Sequence, residues 1–302
     1  SARSLARGTT GTIGVLWPDK LRYTLSDEVT AGFLGAVADE LAPDGLAITL
    51  LPAGVEGDVV PVRDVAMDGA IVYTCPPDLA ALGWLERRQL PMVYVDMPAR
   101  RGSAAVTIDD RGGARQAAEH LLALGHRRIG IVTAGIGPDA GVVRLTLEEA
   151  AAVRRPRVVD QRLHGWLDSL SRVGVQAVLA SQPHVYEDGR PVATELLTLP
   201  DRPTGVLCLT DVMARDVLAA ALELGIAVPE ELSIVGFDDS PLAARSHPGL
   251  TTVAQDVDAK GRAAARALRQ AMLHATDPAE PRPRSRRLSV RLVVRQSTGP
   301  VG

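Results

Sequence analysis

The chain has 302 residues, 46% of them hydrophobic, and a formal net charge of −3. That length allows two ordinary domains with substantial cores, and so small a net charge excludes nucleic-acid binding through the field of the whole chain. No apolar run approaches the roughly 18 residues of a spanning helix, and the N-terminal SARSLARGTTG has no apolar core of the signal type, so the chain reads as soluble and cytoplasmic.

Residues 1–10 read as a tether. Gly8, Gly11 and Gly14 are spaced loosely like a phosphate loop, but the strand Thr12–Trp17 follows them instead of leading into them, so a nucleotide loop is rejected. A polar loop, Pro18–Leu25, leads to a helix capped by Ser26, with Val29, Phe33, Leu34, Val37 and Leu41 on one face. Pro43 and Gly45 end it. Strand Ala47–Leu51, strand Ala70–Tyr73, a helix near Asp78–Arg88 and strand Met92–Val95 follow, the last closing on Asp96. An extended run, Ala104–Ile108, reaches Asp109.

A helix is predicted over Asp110–Leu124 with Gly125 as its stop, then strand Arg128–Thr133. Residues 138–158 show no clear period. A helix from about Asp160 carries Leu163, Trp166, Leu167 and Leu170. Strand Gln176–Ala180 ends in a polar loop, Ser181–Asp188, before a helix over Pro191–Leu199. Gly205–Leu209 is a strand, Asp211 a plausible N-cap, and Val212 to Leu224 repeat at helical spacing up to Gly225. Leu232–Phe237 is a second apolar run that stops on Asp238 and Asp239. A short run Leu250–Val253, an alanine-rich helix Val257–His274, a Pro/Arg connector and a final strand Arg287–Arg295 complete the chain. The connector's arginines read as a solvated face. Cys75 and Cys208 lie in or beside apolar runs without metal or redox spacing and read as buried thiols.

This order contains a repeat. TIGVLW at Thr12 resembles RIGIVT at Arg128, DGAIVY at Asp68 parallels TGVLCL at Thr204, and the segment ending at Asp96 parallels the one ending at Asp239. Two copies of β-α-β-α-β-α-β predict an α/β protein of two doubly wound parallel-sheet lobes. Each lobe has its ligand edge at the carboxyl ends of the strands, and an interlobe cleft is the expected site.

Several segments carry a resemblance to a known family. They are ARSLARGTTGTIGV at Ala2, AAEHLLALGHRRIGIV at Ala117, RLHGW at Arg162, DRPTGVLCLTDVMA at Asp201, GIAVPEELSIVGFDDSPLA at Gly225, PGLTTVAQD at Pro248 and LVVRQSTGP at Leu292. Together they run from end to end, and the chain resembles the effector-binding core of LacI/GalR-type transcription regulators, which are periplasmic-binding-protein-like. The resemblance implies three crossings between lobes, near Asp109, Gln255 and Arg284. The N-terminal lobe is then 11–108 plus 256–283, the C-terminal lobe 109–255 plus 284–302, and residues 1–10 a hinge remnant. It also implies a homodimer that acts as a repressor, a sugar or related polyol as effector, and operator DNA as a partner held through an N-terminal head that is absent from this chain.

A polyol presents hydroxyls that both donate and accept, and carboxylates, arginine and an aromatic face answer them. On placement and resemblance, the candidate ligand residues are Tyr23, Asp96, Arg162, His184, Thr210 and Asp238. Asp238 closes a strand and is otherwise a turn aspartate; Asp96 is its counterpart in the first lobe. Arg162 matches the family's ligand-gripping arginine, with Arg144 as a rival. Thr210 stands where the family commonly has asparagine, and His184 where many relatives place an aromatic platform. The family's Asn-Pro-Phe-Phe loop is missing, leaving Tyr23 as a stacking ring and Trp17 as either a ring or core. Asp211 is assigned to its helix cap, and Gln255 and Asp256 to a hinge.

A transport-type sugar receptor is the alternative, and it predicts a monomer with an export signal. An enzyme is disfavoured. Asp238 and Asp239 are adjacent, so a strand would send them to opposite faces. The six histidines make no H-E-x-x-H pattern, and there is no G-x-S-x-G elbow. No cofactor, metal or membrane is expected.

Overall fold

The computed structural model describes residues 9–17, 27–52, 61–75, 79–100, 102–136, 141–143, 156–182, 184–185 and 187–302. In chain order the elements are β1 (Thr12–Trp17), α1 (Glu28–Leu41), β2 (Ala47–Pro52), α2 (Pro61–Asp64), β3 (Gly69–Tyr73), α3 (Ala80–Arg87), β4 (Met92–Val95) and β5 (Ala104–Ile108). Next come α4 (Asp110–Ala123), β6 (Ile129–Ala134), β7 (Gly141–Val143), α5 (Arg157–Ser171), β8 (Ala177–Gln182), α6 (Arg190–Leu197), β9 (Gly205–Cys208) and α7 (Asp211–Glu223). The chain closes with β10 (Ser233–Asp238), α8 (Pro241–Arg245), β11 (Thr251–Gln255), α9 (Val257–Thr276), β12 (Arg286–Leu288) and β13 (Val290–Val293).

These elements form two compact units, Ser1–Ile108 with Asp256–Leu288, and Asp109–Gln255 with Ser289–Gly302. The first sheet runs β12-β5-β4-β3-β1-β2 and is parallel throughout. The second runs β13-β11-β10-β9-β6-β8-β7. Its five inner strands are parallel, and its two edges, β13 on β11 and β7 on β8, are antiparallel. Without the edge strands the two orders are the same, β5-β4-β3-β1-β2 and β11-β10-β9-β6-β8, which is the internal repeat in three dimensions.

Both faces of the first sheet are covered, as a parallel sheet requires. Ile13, Val15, Trp17, Ile71, Tyr73, Val93, Val95 and Val106 pack with α1 and α9 on one face. Leu16, Ala70, Val72, Tyr94 and Ala105 alternate with them and pack against Leu82 and Leu85 of α3 on the other. This two-residue alternation is the pleat itself. The helices that follow the first two crossings start on equivalent caps. Asp109 accepts a hydrogen bond from Gly112 N at 2.9 Å, and Asp256 one from Ala259 N at 2.8 Å. Gly225, at φ +70°, turns the chain out of α7 in the left-handed region where a side chain would be strained.

Several expectations are corrected. The final strand is two strands, and the third crossing falls at 288/289, not near Arg284. Polar and apolar residues alternate from Arg287 to Leu292, straight across the change, so nothing local marks where the pairing passes from β5 to β11. Helix α1 is capped by Asp27, whose carboxylate accepts from Thr30 N at 2.9 Å; Ser26 lies outside the described residues. Thr210, not Asp211, caps α7. Within 138–158, Gly141–Val143 is an antiparallel edge strand and α5 begins at Arg157. Strand β8 continues to Gln182, two residues into the predicted loop.

Candidate functional site

In the second unit Asp110, the Leu209 carbonyl and the candidate Asp238 converge on Arg162. Arg162 lies on the buried stripe of α5 with Val159, Trp166 and Ser169, and is itself 4% exposed. Its Nε donates to Asp110 Oδ1 at 2.9 Å, Nη1 donates to the Leu209 carbonyl at 2.6 Å, and Nη2 stands 3.3 Å from Asp238 Oδ1. The guanidinium lies over the Phe237 ring, 3.5 Å from its centroid, a cation–π contact in a dry setting. Gln255 Nε2 donates to the same Asp238 oxygen at 2.7 Å. Asp110, Asp238 and Gln255 are all buried. The elements that bring them together are α4 at its first turn, α5, and the carboxyl ends of β9, β10 and β11. Asp238 and Asp239 have positive φ, 114° and 54°, a region that non-glycine residues seldom enter and that aspartate tolerates better than most. Their carboxylates go to different partners, since Asp239 accepts from Arg295 Nη2 at 2.6 Å.

In the first unit Asp96 follows β4, with φ +55°, and is 5% exposed. Its amide donates to the Val106 carbonyl at 2.9 Å. Lys260 of α9, 1% exposed, donates from Nζ to Asp96 Oδ2 at 2.7 Å and reaches the Tyr73 hydroxyl at 3.4 Å. Tyr73 is stacked on Trp17 with ring centroids 4.0 Å apart and meets Phe33 edge-on at 4.8 Å. Trp17 is therefore core, 2% exposed, and braces the tyrosine. Burial and the neighbouring Asp96 charge push the Tyr73 hydroxyl far up, the Lys260 charge opposing them. Asp96 Oδ1 is buried and has no hydrogen-bond partner among the described residues.

Thr210 is half-buried, and its hydroxyl accepts from Met213 N at 3.3 Å, next to the Leu209 carbonyl that Arg162 holds. Asp211 reaches away from its own helix. Thr252 Oγ1 donates to Oδ1 at 2.6 Å, while Ser240 N and Oγ donate to Oδ2 at 2.8 and 3.0 Å. Burial pushes its carboxyl up to about 6, with the hydrogen bonds from Thr252 and Ser240 opposing the shift. His184 is half-buried in the loop after β8, where its carbonyl accepts from Gln182 Nε2 at 2.8 Å. Tyr23 and Arg144 lie outside the described residues. The structure thus brings Arg162, Asp238 and the Thr210 turn together in one unit and places Asp96 in the other.

Asp110, Gln255 and Lys260, which pair with these candidates, are not among the residues the sequence points to. Asp110 sits beside the more obvious cap Asp109, and Gln255 was assigned to a hinge. Lys260 had one legible signal: it falls on the line of Ala264, Leu268 and Ala271, the buried face of α9. Among the described residues no cluster of His, Cys, Asp and Glu could hold a metal ion, and no helix is long and apolar enough to cross a membrane.

The periplasmic binding protein-like domain family matches residues 118–298. An HTH-type transcriptional regulator of Mycolicibacterium smegmatis is 34% identical over 276 residues, which is 87% of this chain and 75% of that protein. The HTH-type transcriptional repressor CytR of Escherichia coli K12 is 33% identical over 175 residues, 56% of this chain and 46% of that one. A solved LacI family transcriptional regulator from Enterococcus faecium with bound ribose superposes with a TM-score of 0.78 at 27% identity, covering 96% of this chain and 100% of the other. With two such sheets and these relatives, the chain belongs to the LacI family of transcriptional regulators, as a periplasmic-binding-protein-like effector-binding core.

Proposed function

We propose that this chain senses a small-molecule effector, a sugar or related polyol, and that binding alters the hold of a cytoplasmic homodimeric repressor on operator DNA through an N-terminal reading head. The observation that carries the reading is the Asp110–Arg162–Asp238 cluster, a buried charge network at the carboxyl edge of a doubly wound sheet. Open α/β sheets bind ligands at that edge. Carboxylates and a guanidinium there give a hydroxyl-rich molecule charge-assisted acceptors and donors, and Phe237 backs the arginine. The ribose held by the E. faecium protein supports the ligand class, and the name of CytR supports repression. The effector must bind two arrangements of the protein with different affinity, or it shifts nothing. For the dimer, support comes from a groove of about 500 Å³ lined by Leu218, Leu222, Ile226 and Leu242 and flanked by Arg215 and Arg245, in which Leu222 is 80% exposed.

The test is a thermal-shift and calorimetric screen against ribose, cellobiose, other mono- and disaccharides, sugar phosphates and nucleosides. A ligand at a hundred times its dissociation constant stabilises by about 2.7 kcal/mol. Asp238→Ala should abolish that shift and leave the sedimentation of the dimer unchanged. A fully responsive Asp238→Ala protein, or turnover of a bound sugar, would sink the reading.

A further inference from the structure

Lys260 of α9 is a charged side chain buried in the first unit. It is 1% exposed, four residues into a helix otherwise faced with alanine and leucine on that side. A buried ion pair is poor evidence of stability, because the desolvation of two charges offsets their attraction, and an apolar pair of similar volume commonly does as well. Packing therefore does not account for a lysine here. What the ion pair does achieve is geometric. Lys260 Nζ takes Asp96 Oδ2 at 2.7 Å, and Tyr73, clamped by Trp17 and Phe33, stands behind the ammonium at 3.4 Å. The carboxylate is held by one oxygen, and Oδ1, buried and without a partner among the described residues, is left over. A buried carboxylate oxygen that lacks a donor is costly, by more than a neutral acceptor would be, so such atoms call for an explanation. Here the atom sits at the carboxyl edge of the first sheet, one residue past the end of β4.

We propose that Lys260 is a positioning residue for the effector: by fixing Asp96 through Oδ2, it presents Oδ1 to one hydroxyl or amine hydrogen of the bound molecule. This rests on the effector reading above and adds to it a chemical demand. The effector carries a hydrogen-bond donor for Asp96, and a molecule offering only acceptors at that point is rejected. Lys260 itself needs no contact with the effector.

The experiment compares wild type, Lys260→Arg, Lys260→Met and the double variant Asp96→Asn with Lys260→Met. The probes are ribose and cellobiose, with the monodeoxy analogues of whichever sugar binds. The double variant removes both charges, so it should fold with a melting temperature close to that of wild type even where Lys260→Met alone does not fold. Asparagine suits the positive φ at position 96. In wild type, one monodeoxy analogue should bind about tenfold more weakly than its parent. In the folded double variant the parent should fall to the level of that analogue and the difference between them should vanish, whereas a merely structural pair would lower the stability of the protein and leave this selectivity in place. Lys260→Arg should restore part of it. Wild-type affinity for the parent sugar in the folded double variant would overturn the proposal while leaving the effector reading intact. Silence of wild type toward both sugars and the whole panel above would take down the effector reading, and this proposal with it.

Discussion

The two units close the same strand with an aspartate and compensate it differently. In the second, Asp238 shares Arg162 with Asp110, so one guanidinium answers two carboxylates and a carbonyl, and Gln255 adds a further donor. In the first, Asp96 has one lysine and keeps an oxygen without a partner among the described residues. The cations also come from different places. Arg162 stands on α5, the helix that precedes β8, and Lys260 on α9, the helix that enters the first unit after the chain's second crossing. A repeat therefore preserves the backbone and the position of the acid, while the choice of counter-charge is free to differ. Arginine with its fork can join several acceptors rigidly, and lysine offers a point charge.

Removing each cation is the strongest way to probe this contrast. Arg162→Met strands two buried carboxylates and should cost about 3–5 kcal/mol, the range for breaking a buried pair. Lys260→Met strands one and should fall at or below the lower end of that range. Urea denaturation with a common slope measures both. Equal losses would mean that Asp110 is not part of the arginine's load.

A middle-sized effect tests whether the repeat extends to helix packing. Gly165 of α5 lies so close to α4 that a Cβ would stand 2.4 Å from the Arg111 carbonyl oxygen and 2.7 Å from Ala114 Cβ. Gly261 of α9 meets α1 in the same manner, 2.7 Å from the Phe33 carbonyl oxygen and 2.7 Å from Ala36 Cβ. Each alanine substitution should destabilise by about 1–3 kcal/mol through overpacking. Gly165→Ala should be the worse, because its clash with backbone is the shorter. A neutral result at either glycine in the same denaturation series would end the parallel between the two helix pairs.

The smallest effects are pH slopes, and they belong to the second unit. Burial lowers the pKa of His126, which lies among Thr204, Ser233 and the Gly299 carbonyl; that carbonyl opposes the shift. The folded state then binds its proton less readily than the unfolded chain, so this contribution is present above about pH 6.5 and is lost as the pH falls below it. Asp211, raised to about 6, has the opposite sign. Its contribution is present below its unfolded value near 4 and is lost as the pH rises through about 6. His126→Gln and Asp211→Asn should each remove one slope from the pH dependence of the unfolding free energy. A wild-type slope that survives both substitutions would place its origin in other groups.

Much of the fold was legible because it is local. Apolar runs and glycine stops marked the elements, and their recurrence marked the doubled α/β plan, whereas both predicted helix caps fell one residue off. Asp96 and Asp238 were legible as strand ends for the same reason, and Arg162 through the RLHGW segment. Two kinds of feature were not. The run RRLSVRLVV looks like one strand because alternation reports the pleat and says nothing of the partner, and its two halves pair with different sheets. The partners of the buried acids were hidden as well. Asp110 and Arg162 are 52 residues apart, and Asp96 and Lys260 164. Sequence by itself determined where each acid lies along its strand, since capping, periodicity and turn chemistry act within a few residues. Only the tertiary structure decided which cation answers which acid, because that choice depends on which helix faces pass over the end of a sheet once the chain has crossed between units.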